Sequence, residues 1–502
     1  MPDAAPLLDP DAVLLGIDLG TQSARAVAVD GTGRLLAAAA RPLTGHRDGP
    51  RHEQDPEHWW SAVAAASREA LAGIAPRRVR GLAVDATSGT ILLADGHGRP
   101  LTPGVMYDDG RAHAYTDRVN AVGAAVWDAL GYRTMPASWA LPRLLRLLDT
   151  TQPAPGTRLL HQADLITWRL AGRPLPTDTG QALKTGYHLA EDRWPEAELA
   201  ALGVPSGLLP DVVRPGTVIG TVHPDAAATT GIPAGTPIVA GTTDGCAAQI
   251  GAGALAPGAW NSVLGTTLVL KGVSSRPVRD PAGTVYSHRG PGGTWLPGGA
   301  SGSGAGVIAR RFPGADLDAL TRRAAASFAA RGPAAVVYPL ATAGGERFPF
   351  RAPGATAFVL GRPADDAEHF HACLLGVACV ERLCFDRLDL LGAPVDGPLT
   401  LTGGGARNTY WSQLRADLLG RPVRLPEHDG SATGMAVLAA TAEGTRLEDA
   451  AAAMVRIRDE LPPDPARTAR LLPVYRAFVD ELTHRGLLDE TLAAHARRKA
   501  EQ

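Results

Sequence analysis

An α/β fold of two like domains is predicted by three observations. The chain has 502 residues, more than a single hydrophobic core ordinarily serves. Strand-like apolar runs alternate with small-residue or amphipathic helical runs. Each half also carries a Gly-Thr hairpin, DLGT at 18–21 and LGTT at 264–267, and each has a later strand running through glycine into a helix. Self-similarity spaced by half the chain points to two domains of one kind and not to a solenoid. The boundary is expected between residues 252 and 253, giving domains 1–252 and 253–502.

The elements follow in order. VLLGIDLGTQSARAVAVDGTGRLLAAAA reads as two apolar strands joined by a Gly turn, with DGTG turning the chain into a third strand. A helix begins at EQDPEHWW, where Asp55 can cap, Pro56 suits the first helical position and Glu57 the first turn. RGLAVDATSGTILLADGHGRPLTP repeats the pattern of strand, Gly turn and strand. Residues 110–235 are irregular and Pro-rich, as an insertion that builds a pocket would be. From 237 a second cycle starts: PIVAGTTDG leads into a small-residue helix, and WNSVLGTTLVLKGV forms a hairpin. PLTLTGGGARNTYWSQLRADLLGRPVRL is then strand, triple-Gly turn, helix and strand, and the tail from about 447 is helical.

Composition removes several classes of function. Hydrophobic residues are 45% and charged residues 20%, and the net charge of −2 gives no attraction for nucleic acid or anionic lipid. No apolar run is long enough to span a bilayer, and the Pro-broken, acidic start lacks the pattern of a secretory signal. Cys246, Cys373, Cys379 and Cys384 form no CxxC pair and read as buried thiols of a cytoplasmic protein. Lys occurs only at 184, 271 and 499, so Lys184 stands out as a point charge inside an Arg-rich chain.

Neither GxxxxGK[ST], a strand-to-helix GxGxxG, nor HExxH occurs, which excludes a P-loop, a dinucleotide fingerprint and a zincin site. What remains is glycine turns beside hydroxyls and acids. In DLGTQSAR a tight hairpin at Gly20 directs backbone N–H groups and the hydroxyls of Thr21 and Ser23, flanking Gln22, into one concavity suited to phosphate oxygens. Asp18 can hold Mg²⁺ there, directly or through water, and Arg25 can add charge. A plain hairpin would use the same turn formers. Gly265, Thr266 and Thr267 repeat the device, and two such turns suggest the phosphates of one nucleotide. In GGGAR the glycines permit close approach of adenine or ribose. Asn408 either contacts the base or caps the helix that follows. Asp244, in GTTDG, sits where a strand gives way to a helix, as a cap or as a reactive carboxylate.

DLGT, GTTDG, LGTT and GGGA in this order resemble the FGGY family of carbohydrate kinases, over about residues 13 to 480. EQDPEHWW and YDDGRA at 107–112 also resemble family segments. The resemblance implies two ribonuclease H-like domains of the actin-like ATPase superfamily, with the active-site cleft between them. The N-terminal domain would bind sugar and the C-terminal one nucleotide. It implies Asp244 as catalytic base and Asp18 as the acid that organises Mg²⁺ and phosphate. Gly20, Thr21, Gly265 and Thr266 match the phosphate turns, Gly404, Gly405 and Ala406 the adenosine turn, and Asp109 a sugar-side position. Two departures stand out: Arg143 replaces a common Lys of the first family signature, and Leu375 a common Glu of the second.

TSGT, HQADLITWRLAG, QALKTGY and YSHRGPGGTWLPGGAS are most similar to the D-ribulose kinase branch. Asp85, Thr87, Ser88 and Gly89 can line a polyol pocket that Lys184 reaches, or they can simply make a turn. The expected activity is ATP-dependent phosphorylation of the terminal hydroxyl of a ketopentose, with D-ribulose first and D-xylulose or another polyol as alternatives. An actin-like ATPase without sugar kinase activity and a non-catalytic sugar sensor are the rivals. ATP, Mg²⁺ and a small sugar are the expected ligands, and a homodimer is left open.

Overall fold

The structure is a computed structural model that describes residues 8–132, 134–342 and 344–501. Its contacts divide the chain into two compact units. The first runs to Gly253 and also takes residues 288–296 and 428–456; the second holds 254–287, 297–427 and the chain from Ile457 on.

In the first unit β1 (Val13–Leu19), β2 (Ser23–Asp30) and β3 (Leu35–Pro42) form an antiparallel meander. Every residue of β1 is buried, as its apolar run, broken only by Asp18 near the end, requires of a strand covered on both faces. Asp30 makes the DGTG turn by accepting from Thr32 N, the Thr32 hydroxyl and Arg34 N, at 2.7–3.0 Å. Helix α1 (Pro56–Ala70) starts as its residues dictate: Asp55 accepts from Glu57 N and Pro56 takes the first turn. Strand β4 (Val79–Ala86) lies parallel to β1, β5 (Val218–Thr221) precedes β6 (Pro237–Val239), and the sheet order is β5-β6-β4-β1-β2-β3. Helix α2 (Asp244–Gly251) follows β6.

The expected hairpin at 79–94 does not form. Ile91–Ala94 leaves for a separate five-stranded sheet, because Gly89 (φ +96°) turns the chain away from β4. Residues 428–456 join the first unit through the Ser431–Ala439 helix, which packs backbone to backbone. A Cβ on Gly16 would stand 1.8 Å from Ala432 O, and one on Gly434 1.8 Å from Ala247 O. Glycine is required at both contacts.

The second unit repeats the plan. Strands β7 (Trp260–Leu264), β8 (Leu268–Gly272) and β9 (Trp295–Ala300) make the meander, the last pairing through Gly298–Ala300. The 25-residue helix α3 (Asp366–Leu390) buries Cys373, Cys379 and Cys384 among its apolar neighbours. Strand β10 (Leu399–Thr402) lies parallel to β7; after α4 (Thr409–Leu419), β11 (Val423–Pro426) lies parallel to β10, and β12 (Ile457–Leu461) closes the edge antiparallel. Read outward from β1 or from β7, six strands of each sheet share one pattern of parallel and antiparallel neighbours, and the second sheet carries a seventh, Tyr286–Arg289. That repeat is the ribonuclease H-like topology expected from the sequence. Among the described residues no helix is long and apolar enough to cross a membrane.

Candidate active site

Three acids meet at the carboxyl ends of the first sheet. The parallel register sets Asp18 of β1 beside Asp85 of β4, and Ala86 bridges to Thr243, the residue before Asp244. Asp244 is not the helix cap, a position held by Thr243. It is the first residue of α2, exposed, with Oδ1 accepting from Gly245 N at 2.7 Å. Burial, then the Asp244 charge, pushes the Asp18 carboxyl up to about 6, against the pull of Arg25, whose guanidinium lies 3.9 Å away. Burial and the charges of Asp18 and Asp244 hold Asp85 well above the usual carboxylate range. Neither oxygen of Asp85 has a hydrogen-bond partner among the described residues, which is the surrounding that favours the neutral acid.

The hairpin between β1 and β2 is tied from behind. Gly20 N donates to Ser23 O (3.0 Å), the Gln54 amide to Thr21 O (2.7 Å) and Leu43 N to Gln22 O (2.8 Å). Each carbonyl so held turns the N–H of its own peptide plane to the opposite side. A Cβ on Gly20 would come no nearer than 3.4 Å to any atom, so this face of the turn is uncrowded.

The segment after β4 mixes structural and open groups. The Thr87 hydroxyl is committed to Thr90 (2.6 Å) and Gln162 (2.7 Å), which makes it scaffold and not lining. Lys184 Nζ donates to Ser88 O at 3.0 Å and so fixes the turn beside Gly89. Ser88 Oγ, Gln162 Nε2, Thr179 Oγ1 and Gln181 Oε1 are buried with no partner among the described residues. Their other atoms tie them to the same strand ends: Gln162 to Thr87, and Gln181 Nε2 to Ala86 O and Thr242 O at 3.3 and 3.4 Å. Buried polar atoms are nearly always satisfied, so such a group marks a place for a polar ligand or water.

Asp109 does not present its carboxylate to this region. It accepts from His52 N (2.8 Å) and from the Arg111 guanidinium and is 1% exposed, which makes it an anchor for the YDDGRA turn. Arg143, buried, ties the same region together by donating to the carbonyls of Met106, Ser138 and Trp139. Tyr107, in the same turn, is partly exposed and feels the charge of Asp244. Burial and then Asp108 push its hydroxyl up, Asp244 adds to this, and a hydrogen bond with Thr21 opposes it. Sequence reasoning passed over Tyr107, Thr179 and Gln181, although YDDGRA and QALKTGY had been singled out.

The second unit carries the other glycine turns. Gly265 N donates to Thr267 O (3.1 Å), the counterpart of the Gly20 turn. In the triple-Gly segment the three residues divide the work. Gly403 has φ +82° and a Cβ there would lie 2.8 Å from Leu264 O, while one on Gly405 would lie 2.4 Å from Leu264 Cδ2. A Cβ on Gly404 would meet nothing within 4 Å. Close approach to a ligand is therefore available at Gly404, and the flanking glycines serve packing on β7. Ala406 is buried in the 3₁₀ turn Gly404–Arg407. Asn408 is a cap: its side chain accepts from Trp411 N (3.0 Å) and donates to the Thr321 hydroxyl (2.9 Å).

Comparison with known proteins covers almost the whole chain. The model of the FGGY family of carbohydrate kinases, N-terminal domain, matches residues 13–251, and that of the C-terminal domain matches 260–443. A xylulose kinase of Streptomyces coelicolor is 33% identical over 456 residues, which cover 88% of this chain and 89% of that protein. A xylulose kinase of Streptomyces rubiginosus is 31% identical over 453 residues, covering 88% and 89%. A crystal structure from Brucella ovis, described as a xyloylose kinase, is similar in fold with a TM-score of 0.85 at 24% identity, over 95% of this chain and all of that one.

Proposed function

The chain belongs to the FGGY family of carbohydrate kinases, and on that premise we propose that it transfers the terminal phosphoryl group of ATP to the terminal hydroxyl of a ketopentose, D-ribulose first, yielding D-ribulose 5-phosphate. The observation that carries the reading is the set of buried polar atoms without partners around the end of β4. It offers donors and acceptors together, as the hydroxyls of a small polyol do.

In this reading the acceptor hydroxyl faces Asp244, which receives its proton. A loose phosphoryl-transfer transition state asks for positioning and charge neutralisation more than for covalent help. The outward N–H groups of Gln22, Ser23, Thr266 and Thr267, with the hydroxyls of Thr21, Ser23, Thr266 and Thr267, bind phosphate oxygens, and Arg25 adds positive charge. Gly404 lets adenosine lie against the main chain. Mg²⁺ suits Asp18, because burial and the neighbouring Asp244 charge leave that carboxylate short of compensating positive charge. When bound, it neutralises charge on the phosphates.

D-xylulose is the second reading, favoured by the names of the two Streptomyces relatives. A coupled assay over D-ribulose, D-xylulose, pentitols and glycerol decides between them. The expected result is the highest kcat/KM with D-ribulose. A higher value with D-xylulose reassigns the substrate, and ATPase activity that no polyol stimulates ends the kinase reading.

A further inference from the structure

Glu346 is 1% exposed in the second unit, and its carboxylate is saturated with donors. Oε1 accepts from the Ser301 hydroxyl (2.9 Å), from Gly302 N and from Arg347 N (2.9 Å). Oε2 accepts from the Ser303 hydroxyl (2.9 Å) and from the Tyr338 hydroxyl (3.1 Å). Ser301 Oγ in turn accepts from Ser303 N, and the Arg347 guanidinium donates to Ser301 O at 3.2 Å. One side chain thus clamps the whole Ser301–Ser303 segment.

That segment and the residues after it lie on the β7–β8 turn. Ser301 N donates to Leu268 O, Leu268 N to Ser303 O, Ala305 N to Gly265 O and Gly306 N to Thr266 O, all at 2.8–3.0 Å. The contact is closed at Gly304, where a Cβ would fall 2.5 Å from Thr267 Cα. In a planar trans peptide the C=O and N–H point in opposite directions. Holding Gly265 O and Thr266 O from behind therefore aims the N–H groups of Thr266 and Thr267 away from the clamp.

We infer that Glu346 is a positioning residue for the nucleotide phosphates: it touches no ligand and sets the direction of the two amides that do. This rests on the phosphate role proposed for the Gly265–Thr267 turn. The test measures binding of a non-hydrolysable ATP analogue and of adenosine, by calorimetry, to wild type, Glu346→Gln and the milder Ser303→Ala, with KM for ATP and for the pentulose alongside.

Glu346→Gln is expected to weaken the analogue about tenfold, the loss typical of a charge-assisted hydrogen bond. Adenosine binding and the pentulose KM should stay within about twofold, because neither involves the phosphates. Ser303→Ala should shift the analogue in the same direction by less. Equal weakening of analogue and adenosine would mean general damage to the unit and would overturn the inference, as would unchanged analogue binding in both variants. If wild type itself binds the analogue no better than adenosine, the phosphate role of the turn falls, and the inference with it.

Discussion

Asp244 has its Oδ1 held by the next residue's N–H and stands at the start of a helix, where an amide side chain would keep the same contact. Asp244→Asn should therefore leave the melting temperature and ATP binding near wild type, while turnover falls roughly 10²–10⁴-fold, as for loss of a general base. Turnover close to wild type would take the role from this residue. Asp178 makes a separate prediction. It caps the short helix Thr179–Leu183 by accepting from Gly180 N and Gln181 N, yet burial pushes its carboxyl up to about 7. A carboxyl whose pKa is higher folded than unfolded binds extra protons in the native state. Its contribution is full below the unfolded value near 3.8 and is lost as pH rises through 7. Asp178→Asn keeps a capping oxygen and cannot ionise, so it should raise stability at pH 8 by about 1–3 kcal/mol and change it little at pH 4. Urea denaturation at both pH values measures this, and equal effects at the two would contradict it.

Among the elements, the glycine turns separate packing from binding. Gly403 combines positive φ with Leu264 O at its back, so Gly403→Ala should destabilise the protein by roughly 1–3 kcal/mol. Gly404 faces open space, and Gly404→Ala should leave the melting temperature unchanged and raise the KM for ATP. Thermal melts and ATP titrations of the pair distinguish the roles, and the reverse pattern would mean that the adenosine turn is misassigned. GGGAR was legible as a site because strand, glycines and helix are contiguous in the sequence. Which glycine faces out was not, since that depends on Leu264, about 140 residues earlier. Glu346 was hidden for the same reason: its partners at 301–303 and 338 come from other segments, and no short pattern marks them. YDDGRA was legible as a segment, but the commitment of the Asp109 carboxylate to His52 N and to Arg111, two residues on, was not, since His52 comes from a strand far back in the chain.

Over the whole molecule, the repeat of strand, Gly-Thr turn and strand was enough to read two domains, because each hairpin is local and its strands are contiguous in the sequence. The return of residues 428–456 to the first unit was not legible. It rests on bare backbone contact at Gly16 and Gly434, and a glycine in a strand or helix does not announce its partner. This contact makes the last prediction. A fragment of residues 8–253 leaves the face of β1 around Gly16 without the Ser431–Ala439 helix, which also packs on α2 through Gly434 and Ala247. Burying an apolar face yields roughly 25 cal/mol per Å², and native stability is a small remainder of such sums. The fragment should thus lack a cooperative thermal transition and expose an apolar patch to a hydrophobic dye. Joining residues 428–456 to it through a flexible linker should restore the transition and lower dye binding. A fragment that melts cooperatively without the added segment would show that the first unit closes its core before the chain returns.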